Sequence, residues 1–253
     1  MSCIPSFYLL LLLLSVPAIL PASLAARQSP AEPGTLAHAD ELYRHREDIA
    51  SAKQAAALYE KQSASSFEAA WKFSRAAYWL ATAGPEKERK SWRDKGVKGG
   101  EQALGLDPKK PEGHFWLAAN LGEVAEHASF LTAWKYPGRI KDELETVLKM
   151  DPAWQQGSAD RALGEWYFKV PGIKGGDHKK AEEHLRKSLT YNPKSTASLF
   201  FLAEVIADDD DRAAEAKPLL QQVLDAPIDP DWAPEDRQFK EKAKALLGKL
   251  NKK

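Results

Sequence analysis

The chain has one cysteine, Cys3, among 253 residues, and no surplus charge: 36 Lys plus Arg stand against 36 Asp plus Glu. A lone thiol excludes an internal disulfide and a thiolate zinc site, and N-terminal processing would remove it as a nucleophile. Zero net charge removes the basic surplus that phosphate backbones require, so nucleic acid is not an expected partner. None of the six histidines lies four residues from another with a Glu between, as a zinc hydrolase would need. Gly172-Ile-Lys-Gly-Gly176 lacks the Gly-Lys-Ser/Thr ending of a phosphate cradle. No Gly-x-Ser-x-Gly elbow occurs. Asp208-Asp-Asp-Asp211 lacks the spaced ligands and closing Glu of a calcium loop, and reads as an acidic turn before a helix. The expectation is a non-enzymatic protein with no cofactor, metal or catalytic residue. An enzyme would need two carboxylates such as Glu123 and Glu165 brought together, one of them raised in pKa.

What is present begins with an address. Met1 to Ala26 carries no charge, Phe7 to Leu14 is unbroken apolar sequence, and Ser23-Leu24-Ala25 offers the small residues of a cleavage site. Residues 1–26 therefore read as a signal peptide or, since the first residues lack Lys and Arg, an uncleaved N-terminal anchor. The protein is expected to be exported, either periplasmic or anchored facing the periplasm. Residues 27–39 have the composition of a flexible linker, and residues 40–253 form the body.

The body repeats. Leu104-Gly-Leu-Asp107-Pro108, Leu148-Lys-Met-Asp151-Pro152 and Leu189-Thr-Tyr-Asn192-Pro193 close successive segments, with a looser copy at Leu224-Asp-Ala-Pro227. The prolines are 44, 41 and 34 residues apart, the period of stacked helical hairpins. A second phrase falls between them: Leu121-Gly-Glu-Val124, Leu163-Gly-Glu-Trp166 and Leu202-Ala-Glu-Val205. Apolar positions recur at helical spacing, and Gly164 stands where a partner helix would approach. Ala181, Leu185 and Ser188, followed by Pro193, resemble the second helix of a tetratricopeptide repeat, and Trp71 with Tyr78 its first. These patterns predict an all-α solenoid of tetratricopeptide-like hairpins. About ten helices are expected, near 40–62, 66–83, 87–106, 112–130, 138–150, 155–170, 177–191, 196–207, 211–225 and 233–250, the last a Lys-rich cap on the open end. Helix 66–83 is apolar all round: either neighbours cover both its sides, or one side meets a partner or an apolar ligand.

Transferred residue by residue, the tetratricopeptide register places Lys72, Trp79, Trp116, Glu123, Glu126, Arg161, Glu165, Phe168, Phe200 and Glu204 in a concave groove. Glu123, Glu165 and Glu204 would repel one another unless cations such as Arg161, Lys72 or Arg75 intervene. The plainer alternative makes the carboxylates a solvated face and the aromatics core. Two linkers exceed the repeat's need: Ser129 to Gly138, with Trp134 and Tyr136, and Val170 to Gly176. Insertions in solenoids gather on one face, often the binding face, so Trp134 and Tyr136 are read as a partner loop.

The motif order is Gly84-Pro85, Lys95-Gly96, Phe115-Trp-Leu-Ala-Ala-Asn-Leu-Gly122, Arg161-Ala-Leu-Gly164-x-x-Tyr167-x-x-x-Pro171, then Gly175-Gly-Asp177-x-x-Lys180-Ala181. Over residues 40–250 this resembles the T component of tripartite ATP-independent periplasmic transporters. That resemblance implies an accessory scaffold or ligand-handling role beside a periplasmic solute-binding protein, a trimer, and passage of an apolar small ligand. T components often carry a lipid-bearing Cys after the apolar run; here Cys3 precedes it. The Leu-Gly-x-Trp/Tyr phrase after a Leu-Asp-Pro helix end also resembles tetratricopeptide regulators of microtubule dynamics, a second choice because of the export signal. The alternative to transport is a generic tetratricopeptide adaptor binding peptides or proteins in its groove.

Overall fold

The phrase that recurs in the sequence recurs as one structure in the computed structural model, which describes Glu32 and residues 34–252. At Asp107, Asp151 and Asn192 the chain leaves its helix in extended backbone, because a following proline crowds the α conformation. Each freed side chain then accepts the N–H two residues on, at 3.1 Å from Lys109, 2.9 Å from Ala153 and 3.0 Å from Lys194. The same local chemistry thus reverses the chain three times. The signal or anchor reading of residues 1–26, with Cys3, and linker residues 27–31 and 33 lie outside the described residues.

Twelve α-helices and one short 3-10 turn make up the described residues, with no strand among them. They are α1 (Leu36–Arg44), α2 (Ile49–Glu60), α3 (Phe67–Ala83), α4 (Glu86–Leu106), α5 (Pro111–Glu126), α6 (Phe130–Ala133), α7 (Pro137–Met150), α8 (Trp154–Lys169), α9 (His178–Tyr191), α10 (Thr196–Ala207), α11 (Ala213–Asp225) and α12 (Ala233–Leu250). The 3-10 turn is Gly172–Lys174. The expected helix over 40–62 is two helices, because Asp48 turns out of the first and caps the second, accepting from Ala50 and Ser51. The helical body starts at Leu36 rather than Asp40, since Thr35 caps α1 and Ala39 is fully buried.

Consecutive helices pack as hairpins, and α3, α5, α8, α10 and α12 also pack on one another in series. They form an inner wall, while α4, α7, α9 and α11 stand behind it. Glycine sets the depth of that packing at two places. A Cβ on Gly164 would lie 2.5 Å from Leu185, and one on Gly100 would lie 2.8 Å from the Leu117 backbone. Helix α3 is covered by α2, α4 and α5, so its all-round apolar character is that of a sandwiched helix. A buried polar seam ties α3, α4 and α5: Asn120 donates to the Ser74 and Trp116 carbonyls, and Ser74 Oγ to Gly96 O.

The two ends of the stack touch. Arg46, in the turn between α1 and α2 and only 3% exposed, donates from Nε to Glu235 at 3.0 Å and to the Asp231 carbonyl at 2.9 Å. Arg237 pairs with Glu47 across the same junction. Helix α12 caps the last hairpin, packing on α10 and α11, and the end that it covers is not left open. Its N-terminal part is clasped by the turn between α1 and α2, a contact spanning most of the chain.

Candidate functional site

The inner-wall helices carry all ten groove residues named from the sequence, but the wall divides them. Trp79, Trp116 and Phe200 belong to the core. Trp79 is 5% exposed and donates from its indole to Arg46 O at 2.7 Å. Trp116 packs edge-on against Phe115 and tilted against Tyr78, and Phe200 packs against Phe201 and Phe239. The stack curls enough for neighbouring hairpins to cover these rings, which a helix-face register alone does not encode. Lys72 is likewise a structural ion, held between Asp40 at 2.7 Å and Glu68 at 2.6 Å. It is not available to the carboxylates, and Arg75 lies over the Tyr43 and Trp71 rings.

Of the remaining six, Phe168 lies against His178, and the five charged residues converge. Glu165 lies 3.3 Å from Lys169, which also reaches Glu126 at 3.5 Å, and Glu123 lies 3.6 Å from His127. Burial lifts the Glu123 carboxyl above the ordinary range, with Glu126 adding to it. Burial does the same to Glu165, whose Oε1 is enclosed without a hydrogen bond. Glu204 is pushed up to about 7 by burial and by the charge of Glu165, against the pull of Lys169 and Lys242. Arg161, enclosed and hydrogen-bonded to Ser158 Oγ at 2.7 Å, is drawn down to about 10 by desolvation. The Tyr78 hydroxyl from α3 is held well above its usual range, first by burial and then by Glu123 and Glu165.

Three carboxylates from α5, α8 and α10 thus share one partly dry space with Tyr78, Arg161 and Lys169. Lys169, Lys242 and Tyr78 were missed in the sequence. The Glu165-to-Lys169 spacing of one helical turn was the available signal for the first, whereas Lys242 lies in a helix read only as a cap. This arrangement can hold cationic or hydrogen-bond-donating groups. Among the described residues no three His, Cys, Asp or Glu side chains, these carboxylates included, stand close enough together to hold a metal ion.

Beside the wall, where α8 begins and the ends of the stack meet, lies a cavity of about 380 Å³ bordered by Arg161, Lys194, Thr196, Trp232, Asp236 and Phe239. Gln155 and Gln156 approach it in left-handed backbone, an uncommon conformation for residues with a Cβ.

The two insertions lie against one another. Lys174 Nζ sits 4.6 Å from the centre of the Trp134 ring, and Trp166 donates to Pro137 O at 2.9 Å. Gly175, at φ +101°, faces the edge of Trp166. Tyr136 is half-buried against the core, and Phe168 packs edge-on against His178.

A family description, Regulator of microtubule dynamics protein 1-3, matches residues 35–182, which is more than half of the chain. It is the second of the two families whose motifs the sequence resembles. No curated protein matches the chain. Among solved structures, TTC0263, described as a thermophilic TPR protein in Thermus thermophilus, superposes with a TM-score of 0.63 at 16% identity, over 84% of this chain and 99% of its own. MamA superposes with a TM-score of 0.47 at 15% identity, over 78% of this chain and 95% of its own. The fold is an all-α tetratricopeptide-type solenoid. No helix among the described residues is long and apolar enough to cross a membrane.

Proposed function

The chain belongs to the regulator of microtubule dynamics protein 1-3 family, and from that premise we propose that it is a non-enzymatic helical-repeat adaptor that receives a protein segment along its inner wall. One observation supports this reading above the rest: Glu123, Glu165 and Glu204 project from three successive inner helices and all three are lifted by burial. Half-buried carboxylates without full compensation cost stability, and apolar residues of similar size would serve a purely structural wall better. A partner segment bearing Lys, Arg or free N–H groups would supply the missing donors, and the fold's repeat geometry suits an extended segment.

The test is a photo-crosslinking residue at the exposed position of Glu126, irradiated in extract, with captured proteins identified by mass spectrometry. Polymerised microtubules form a separate arm, because the family name ties its members to microtubule dynamics. A restricted set of partners, lost when Glu123→Gln and Glu204→Gln are combined, is the expected result. Capture indifferent to the double substitution would remove the wall from the mechanism. A set reduced to a single solute-binding protein would favour the transporter-accessory role, with its trimer and apolar ligand.

A further inference from the structure

Leu131 and Ile173 are 80% and 83% exposed, about twice the exposure of any other large apolar residue described, and they sit on the two insertions that touch one another. We propose that this inserted edge docks the protein on an anionic lipid surface, with Leu131 and Ile173 entering the bilayer interface. The proposal is independent of the adaptor reading, since it uses no inner-wall carboxylate.

Charge supports it first. Residues 128–138 and 170–176 contain no acid, but contain Lys135 and Lys174, in a chain whose overall charge is zero. Lys179 and Lys180 follow at once, and none of these four lysines forms an ion pair among the described residues. Asp177, the acid between them, is occupied in capping α9 through Lys179 N and Lys180 N. The nearest acidic run, Asp208 to Asp211, bounds the patch where Asp208 lies 3.7 Å from His178. Lysines without ion pairs, close in sequence to the apolar tips, complement anionic headgroups over an acyl layer.

Backbone chemistry supports it next. Both tips ride on single closed turns: Thr132 and Ala133 N–H bond to Ser129 O, while Lys174 and Gly175 N–H bond to Pro171 and Gly172 O. The amides that follow each tip residue are thus satisfied within its turn, which lowers the polar cost of bringing the turn to a bilayer interface. Trp134, beneath Lys174, supplies the amphipathic ring that prefers the headgroup level. Two separate aliphatic tips suit a bilayer better than a protein, which would have to offer a fitted pocket to each.

The experiment uses the full chain and sedimentation with vesicles of phosphatidylcholine alone or with phosphatidylserine. Binding beyond the level seen on phosphatidylcholine alone should need phosphatidylserine and fall with salt. Leu131→Ser and Ile173→Ser should each weaken it about tenfold, as expected for keeping one large aliphatic side chain in water. Lys135→Glu with Lys174→Glu should weaken it at least about fivefold. Because the apolar run Phe7–Leu14 could hold the chain on any vesicle, a polarity-sensitive fluorophore at Ile173→Cys, in a Cys3→Ser background, reports the edge alone. A blue shift on phosphatidylserine vesicles is expected. No shift there, an equal shift on phosphatidylcholine, or a shift only when protein extract replaces vesicles would overturn the proposal, the last assigning the edge to a protein partner.

Discussion

The inner wall and the inserted edge depart from the usual distribution of polarity in opposite directions. On the wall, Glu123, Glu165, Glu204 and Arg161 are drawn out of water; on the edge, Leu131 and Ile173 stand almost wholly in it. The reasons differ as well. The wall is built by hairpin stacking and its charges cannot leave without rebuilding a helix face, whereas the insertions touch the core through Tyr136 and Val170 but not through the exposed side chains of Leu131 and Ile173. Stability and function should therefore be coupled at the wall and separable at the edge.

The largest effect expected falls where the ends of the stack hold the wall in its curl. Arg46 satisfies Glu235 and the Asp231 carbonyl, and lies 4.9 Å from the Tyr43 ring and 5.5 Å from that of Trp79. Arg46→Ala would leave Glu235 and a carbonyl unpaired in a buried junction, a loss of about 3 kcal/mol. Urea denaturation measures it. A loss below about 1 kcal/mol, within the range of an exposed pair, would make the clasp incidental and the curl a property of the repeats alone.

That clasp was also the least legible feature in the sequence, because Arg46 and Glu235 are 189 residues apart in the chain and neither sits in a motif. Helix positions were readable because their causes are local: an Asp or Asn before proline stops a helix, and small residues mark the crossings. The shared face of Glu123, Glu165 and Glu204 followed from register, which is local too. Register could not say that Trp79, Trp116 and Phe200 would be covered, since coverage depends on how far each hairpin rotates on the next. The split at Asp48 is masked because residues 40–47 are charged and apolar residues compatible with a helix and Ala-rich sequence follows, so that a single capping residue does not stand out.

A middle-sized effect sharpens the comparison through pH. A carboxyl whose folded pKa exceeds its unfolded value favours the fold while protonated, so its contribution is complete below the unfolded value and lost as pH rises through the folded one. Glu204, at about 7 against an ordinary 4.5, should cost roughly 1–2 kcal/mol between about pH 5 and pH 8 after allowance for its partial exposure. Glu123 and Glu165 add in the same direction. Glu182 works the other way but in a lower window, being held at about 2 first by its hydrogen bond to Arg212. Urea midpoints should thus fall across neutral pH, and Glu204→Gln should flatten the decline. An unchanged slope in that variant would mean that the wall is wetter than its geometry implies.

The smallest effect is expected at the edge, and it decides whether the two regions are separable. Leu131→Ser and Ile173→Ser remove side chains that bury little, so stability should move by no more than about 0.5 kcal/mol, and the thermal midpoint by a degree or two. Glu204→Gln, on the wall, should by contrast raise stability at neutral pH, because its carboxyl is lifted by burial, while weakening capture of a cationic partner segment. The pair of measurements is informative because function is lost with a change in stability at the wall and without one at the edge. If Ile173→Ser lowered stability by more than about 1 kcal/mol, the edge would be packing against something in the protein itself, and its exposed side chains would have to be reinterpreted as part of the core.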